Sequence, residues 1–168
     1  IMNLDFAILN ININSIPLTF SFLITVIWIV TIVNAINWID GLDGLAGGVI
    51  SIIFLAVIYL ALSNSHFELA NLSIILFGSL FGFLLKNFYP AKILMGDGGS
   101  YFLGFWTSVI VLFLEPSNIV SISQKSITFL IFPLLDMVFV ISARIFKGVS
   151  PFFPDQNHFH HKLLRMGY

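Results

Sequence analysis

The chain has 168 residues, 58% of them hydrophobic and 9% charged, with a formal net charge of −1 and a mean hydropathy of +1.03. A soluble domain is about 25% charged, so this chain cannot clothe itself in polar surface, and lipid is its main solvent. The charge balance carries no nucleic-acid signal, and the absence of Cys excludes a disulfide framework or a thiolate site.

The sequence starts at Ile1, without an initiator Met or a cleavable signal pattern. It reads as a piece of a longer protein: residues 1–168 form one incomplete integral-membrane domain, with further helices expected on either side. Five apolar runs follow in chain order: Pro17–Val33, Val49–Leu62, Leu69–Leu85, Tyr101–Leu114 and Ile127–Ile145. A spanning helix needs about 17–25 residues. The second and fourth runs reach that length only if the small residues before them, Ala46–Gly48 and Gly98–Ser100, open the helix. No two-residue polar/apolar alternation marks a barrel, so helices are the way to satisfy the backbone in lipid. The predicted fold is all-α and polytopic, with about five transmembrane helices. No internal repeat or interdomain linker interrupts it.

The loops sort by parity into two sides. Residues 34–48, 86–100 and 146–168 share one; the N-terminal stretch, 63–68 and 115–126 share the other. Lys86, Lys92, Arg144, Lys147, Lys162 and Arg165 lie on or beside the first side and only Lys125 on the second, which marks the first as cytoplasmic. The same side receives Asp40, Asp43, Asp97, Asp155, His158, His160 and His161.

In "NAINWIDGLDGLAGG", Asn34, Asn37, Asp40 and Asp43 recur every third residue. On a helix each such step leaves neighbours about 60° apart, so Asn34, Asn37 and Asp40 share a polar stripe. Gly41 and Gly44 then loosen the backbone and free amide groups for an anion. A capped interhelical turn is the bland alternative. In "NFYPAKILMGDGGSY", glycines flank Asp97, and Ser100 can N-cap the next helix. This suits a diphosphate or Mg²⁺ as well as a plain Gly-rich turn; it is not a P-loop. In "GVSPFFPDQNHFHHKLLRMGY", three His in four residues suit phosphate contact better than Zn²⁺, against a solvated loop as the alternative. Asp136, inside the fifth run after Pro133, is a functional candidate by its depth or a hydrogen-bonded group within the bundle. Direct pairing with Arg144, about 12 Å along the helix, is not expected.

Together the three stretches resemble the polyprenyl-phosphate N-acetylhexosamine-1-phosphate transferases. The resemblance runs in order from Asn34 to Leu163. It implies Mg²⁺-dependent transfer, with Mn²⁺ as a substitute ion, of a sugar 1-phosphate from a UDP-sugar to undecaprenyl phosphate, releasing UMP. It also implies three cytoplasmic active-site loops in a bacterial cytoplasmic membrane, a role in initiating cell-wall or lipopolysaccharide synthesis, and compatibility with a homodimer. By the family pattern, Asp97 is a metal ligand and Asn37 assists. Asp40 and Asp43 sit in the nucleotide cleft, with Asp43 near uracil; Asn87 and Leu94 line it. His158, His160 and His161 contact the diphosphate. "HFHH" resembles the members using N-acetylglucosamine more than those using the muramoyl-pentapeptide donor. Direct displacement and an aspartyl-phosphate route are both compatible with these residues.

There are departures. The family carries an adjacent Asp pair on an earlier loop, and no Asp-Asp occurs here. Gln156 stands where many relatives have Arg. The family has about ten or eleven spans, so the 168-residue segment alone is expected to be inactive. Two rivals fit less well. CDP-alcohol phosphotransferases need Ala-Arg after the first Asp-Gly, and a transporter would place its polar groups near the bilayer midplane.

Overall fold

The protein is described from a computed structural model, covering residues 18–114, 124–146 and 148. Among the described residues there is no strand. These residues form six helices in order: α1 (Leu18–Ile39), α2 (Leu45–Ser63), α3 (Phe67–Asn87), α4 (Gly96–Leu112), α5 (Gln124–Phe129) and α6 (Ile131–Phe146). Within α1, α2 and α3, the windows Phe22–Ile39, Leu45–Ser63 and Phe67–Asn87 are long and apolar enough to cross a membrane. α4 has 17 residues and α6 has 16, about 24–26 Å of rise against a hydrocarbon thickness of about 30 Å.

The small residues do open the second and fourth helices: α2 takes in Ala46–Gly48, and α4 takes in Gly98–Ser100. Ser100 is therefore not the N-cap expected from sequence. Met95 holds that position, and Ser100 is interior and fully buried. The cause lies at Gly96, whose φ of 64° turns the chain into the helix early. Asp97 then falls in the first turn, where the helix dipole favours a carboxylate.

The fifth run is also not one helix. It breaks at Leu130 between α5 and α6. An uninterrupted helix would need a donor from Pro133 to Phe129, and proline has none. Restarting at Ile131 puts Pro133 in the first turn, where the missing N–H costs nothing.

α1 packs chiefly on α4, α2 on α3, and α6 along α1. Ile32, Ile36, Phe54, Val57 and Ile110 are fully buried at the centre. Ser100, Gly104 and Ser108 recur every fourth residue on α4, and all are buried. Such small-residue spacing lets two helix backbones approach in lipid, where burying apolar area gives no drive. At Gly104 an added Cβ would lie 2.8 Å from Val33 Cα, so α1 and α4 touch backbone to backbone. The Trp28 indole N–H, donating to the Ser108 carbonyl at 3.3 Å, ties the same pair higher up. Outward faces stay apolar: Phe22, Ile52, Ile75 and Leu85 are all strongly exposed, as suits hydrocarbon or neighbouring spans.

Candidate functional site

Two turns meet at one end of the bundle. The first, residues 40–44, leaves α1; the second, residues 88–95, joins α3 to α4 and contains a cis Tyr89–Pro90 peptide. Asn87, at the end of α3 and buried, stitches them together. Its Oδ1 accepts from the Gly44 N–H at 3.1 Å, and its Nδ2 donates to the Ile93 carbonyl at 2.9 Å. The Ala91 N–H donates to Asp43 Oδ2 at 2.9 Å, a second clamp between the turns. The loop-parity reading thus holds for 34–48 and 86–100, which share one end.

Between the turns lies a cleft of about 350 Å³, and its lining includes Asn37, Asp40, Asp43, Asn87, Leu94 and Asp97. These are the described residues that the family pattern assigns to the site, drawn from positions up to sixty apart in sequence. Gly41, Leu42, Met95 and Gly96 also line it. Asn34 does not join them: its Nδ2 donates back to the Val30 carbonyl at 2.7 Å, along its own helix. The Gly44 N–H, expected to be free for an anion, is taken by Asn87. His158, His160 and His161, with Asp155 and Gln156, lie outside the described residues.

A larger cavity of about 630 Å³ sits at the opposite end, beside His66, Glu68 and Phe113. Size does not make it the better candidate. Among the described residues one carboxylate and one imidazole line it, whereas the smaller cleft gathers three carboxylates and two amides.

Asn37 connects the two walls of the cleft. Its Nδ2 donates to Asp97 Oδ1 at 3.1 Å and to Ser100 Oγ at 2.9 Å. One turn on from it, burial and then the negative charge of Asp97 raise the pKa of the Asp40 carboxyl above its ordinary value. Its folded pKa is raised, so the native state keeps a proton that the unfolded chain has released. Stability therefore falls as pH rises from the unfolded value, about 3.9, to the raised folded value, and is flat above it. We expect Asp40→Asn to abolish that slope. Melting curves of both forms across acidic pH, without divalent ions, check this; parallel curves would contradict it.

The donor set also bears on a metal. Among the described residues no three His, Cys, Asp or Glu side chains gather into a cage. Mg²⁺ does not need one: it keeps several waters and is held by one or two carboxylates plus substrate phosphates. Asp97 with Asp40 nearby, both oxygen donors in mutual repulsion, fits that pattern. The Asn37 nitrogen, committed as a donor, cannot be a ligand; only its Oδ1 could.

Two features were not foreseen in the sequence. The sequence suggests Ser100 as a cap, whereas its hydroxyl accepts from Asn37 in the cleft wall. The Arg144 guanidinium, buried on α6, lies 5.4 Å from the Trp38 ring centroid. It fastens the end of α6 beside Asn37. Asp136 is buried on the same face of α6 and does not line the cleft.

Residues 2–115 match the profile of glycosyl transferase family 4. A probable undecaprenyl-phosphate N-acetylglucosaminyl 1-phosphate transferase of Bacillus subtilis is 41% identical over 146 residues, covering 86% of this chain and 40% of that protein. An undecaprenyl-phosphate alpha-N-acetylglucosaminyl 1-phosphate transferase of Haemophilus influenzae is 37% identical over 132 residues, covering 72% and 36%. A decaprenyl-phosphate N-acetylglucosaminephosphotransferase of Mycobacterium leprae is 35% identical over 117 residues, covering 59% and 28%. The chain thus spans two fifths or less of the length of these relatives.

Proposed function

The chain belongs to glycosyl transferase family 4, and from that premise we propose that the complete protein transfers N-acetylglucosamine 1-phosphate from its UDP-sugar to undecaprenyl phosphate, releasing UMP. The product would initiate a cell-envelope polysaccharide at the bacterial cytoplasmic membrane. One observation carries the reading: Asn37, Asp40, Asp43, Asn87, Leu94 and Asp97 converge on one cleft at the end of an apolar bundle. A membrane-bound acceptor and a water-soluble donor can meet only at such an edge. The names of the relatives favour the N-acetylglucosaminyl donor over the muramoyl-pentapeptide donor.

Phosphoryl transfer needs alignment and charge neutralisation more than covalent help. Asp43 is fixed by the Ala91 N–H on Oδ2, leaving Oδ1 to accept from the uracil imide. Leu94, exposed on the rim, offers an apolar face to the base. Asn87 ties the two turns together and would thereby hold the nucleotide cleft in shape. Asp97 and Asn37 Oδ1 would hold Mg²⁺, which neutralises diphosphate charge when bound. His158, His160 and His161 would donate to the same diphosphate. The acceptor phosphate is already anionic at neutral pH, so Asp40 need not act as a strong base.

The test is competition between the two UDP-sugar donors, with the complete protein and undecaprenyl phosphate. N-Acetylglucosamine 1-phosphate should dominate the lipid product; a strong preference for the muramoyl-pentapeptide donor would overturn the assignment.

A further inference from the structure

We infer that Ser100 is a positioning residue that fixes which way the Asn37 amide faces, and thereby which Asn37 atom is offered to a divalent cation. The inference rests on the proposed metal-dependent reading of the cleft. A hydroxyl has one proton to give and lone pairs to receive. The Ser100 Oγ proton goes to the backbone carbonyl of Asp97, 3.2 Å away. Ser100 is fully buried, so no bulk water competes for that proton. Toward Asn37, at 2.9 Å, the hydroxyl can then only accept.

The amide must therefore present its NH₂ to Ser100. The opposite orientation would set Asn37 Oδ1 against Ser100 Oγ with no proton between them. It would also set Oδ1 against Asp97 Oδ1, which lies 3.1 Å from the amide nitrogen. An ionised carboxylate is acceptor only, so that contact would be repulsive as well. Two neighbours thus dictate one orientation. Nδ2 is committed to Ser100 and Asp97, and Oδ1, used by neither bond, belongs to a residue lining the cleft. Because Asn37 stands on α1 and Ser100 on α4, the same bond also registers the two helix ends that carry the cleft. Sequence alone assigns Ser100 a cap; its burial four residues inside α4 gives it this other task.

The experiment measures Mn²⁺ affinity of the complete protein by electron paramagnetic resonance, without nucleotide or lipid acceptor. Removing an outer partner of a metal ligand weakens metal binding about 10–100-fold. Ser100→Ala should weaken Mn²⁺ binding by about tenfold or more, while Ser100→Thr, which keeps the hydroxyl, stays within about twofold of the parent. Both variants should still unfold cooperatively without metal, at a somewhat lower melting temperature, because Ser100 is fully buried. Should Ser100→Ala not be recovered folded, Ser100→Cys, with a poor donor and acceptor of similar size, is expected to show the same loss. Parent-like Mn²⁺ binding by Ser100→Ala overturns the inference, as does an equal loss in Ser100→Thr, since packing and not the hydroxyl would then matter. A parent protein that binds no Mn²⁺ overturns the metal reading of the cleft together with this inference.

Discussion

Asp97→Asn in the complete protein should lower Mg²⁺-dependent UMP release by about a hundredfold or more, the scale for removing one preorganised partner of developing charge. Asp97 is exposed in the cleft and bears on its neighbours chiefly by charge. The substitution keeps the shape of the side chain and the means to accept from Asn37. What it removes is the negative charge that raises the Asp40 carboxyl and that, on the proposed reading, would draw a divalent cation. The fold should survive: surface substitutions of this kind change stability by about 0.5 kcal/mol or less. The signature is therefore lost turnover at an unchanged melting temperature. UMP release at the parent rate would place the chemistry elsewhere, and altered ion flux alongside it would favour a transporter.

The second large effect should come from a position that touches no substrate. Gly104→Ala puts a methyl 2.8 Å from Val33 Cα and 3.4 Å from the Val33 carbonyl oxygen. Both are backbone atoms, so no rotamer change relieves the clash and α1 and α4 must separate. Overpacking of this sort costs about 1–3 kcal/mol. Because Asn37 is on α1 while Asp97 and Ser100 are on α4, separation also lengthens the bonds that now measure 3.1 Å and 2.9 Å. Gly104→Ala should thus lower melting temperature and metal affinity together, in contrast to Asp97→Asn, which leaves the melting temperature unchanged. A variant as stable as the parent would show that α1 and α4 do not approach this closely.

Much of the site is legible in the sequence. The three-residue spacing of Asn37, Asp40 and Asp43 and the glycines around Asp97 mark polar material at a membrane edge, and loop parity puts both stretches on one side. The cleft contains these residues. Hydropathy located the long helices because a membrane span is a coarse signal, an average over some twenty side chains. Details that turn on single atoms were hidden. Ser100 follows several glycines, any of which could start a helix, and only the φ of Gly96 decides that it lies inside. The break at Leu130 depends on which side of Pro133 the helix restarts. Asn34 fits the polar stripe by spacing, yet its side chain reaches its own helix before it reaches the cleft. Gly104 reads as one small residue among apolar neighbours until Val33 is seen beside it. The contact of Arg144 with Trp38 joins residues more than a hundred positions apart, with no local pattern to announce it.

The central claim is that the cleft serves transfer of a sugar with its phosphate, as distinct from transfer of the sugar alone. UDP-N-acetylglucosamine labelled in the phosphate next to the sugar separates the two with one measurement. With undecaprenyl phosphate, Mg²⁺ and the complete protein, the label should appear in the lipid fraction while unlabelled UMP is released. Label retained in UDP, with unlabelled sugar on the lipid, would contradict the account.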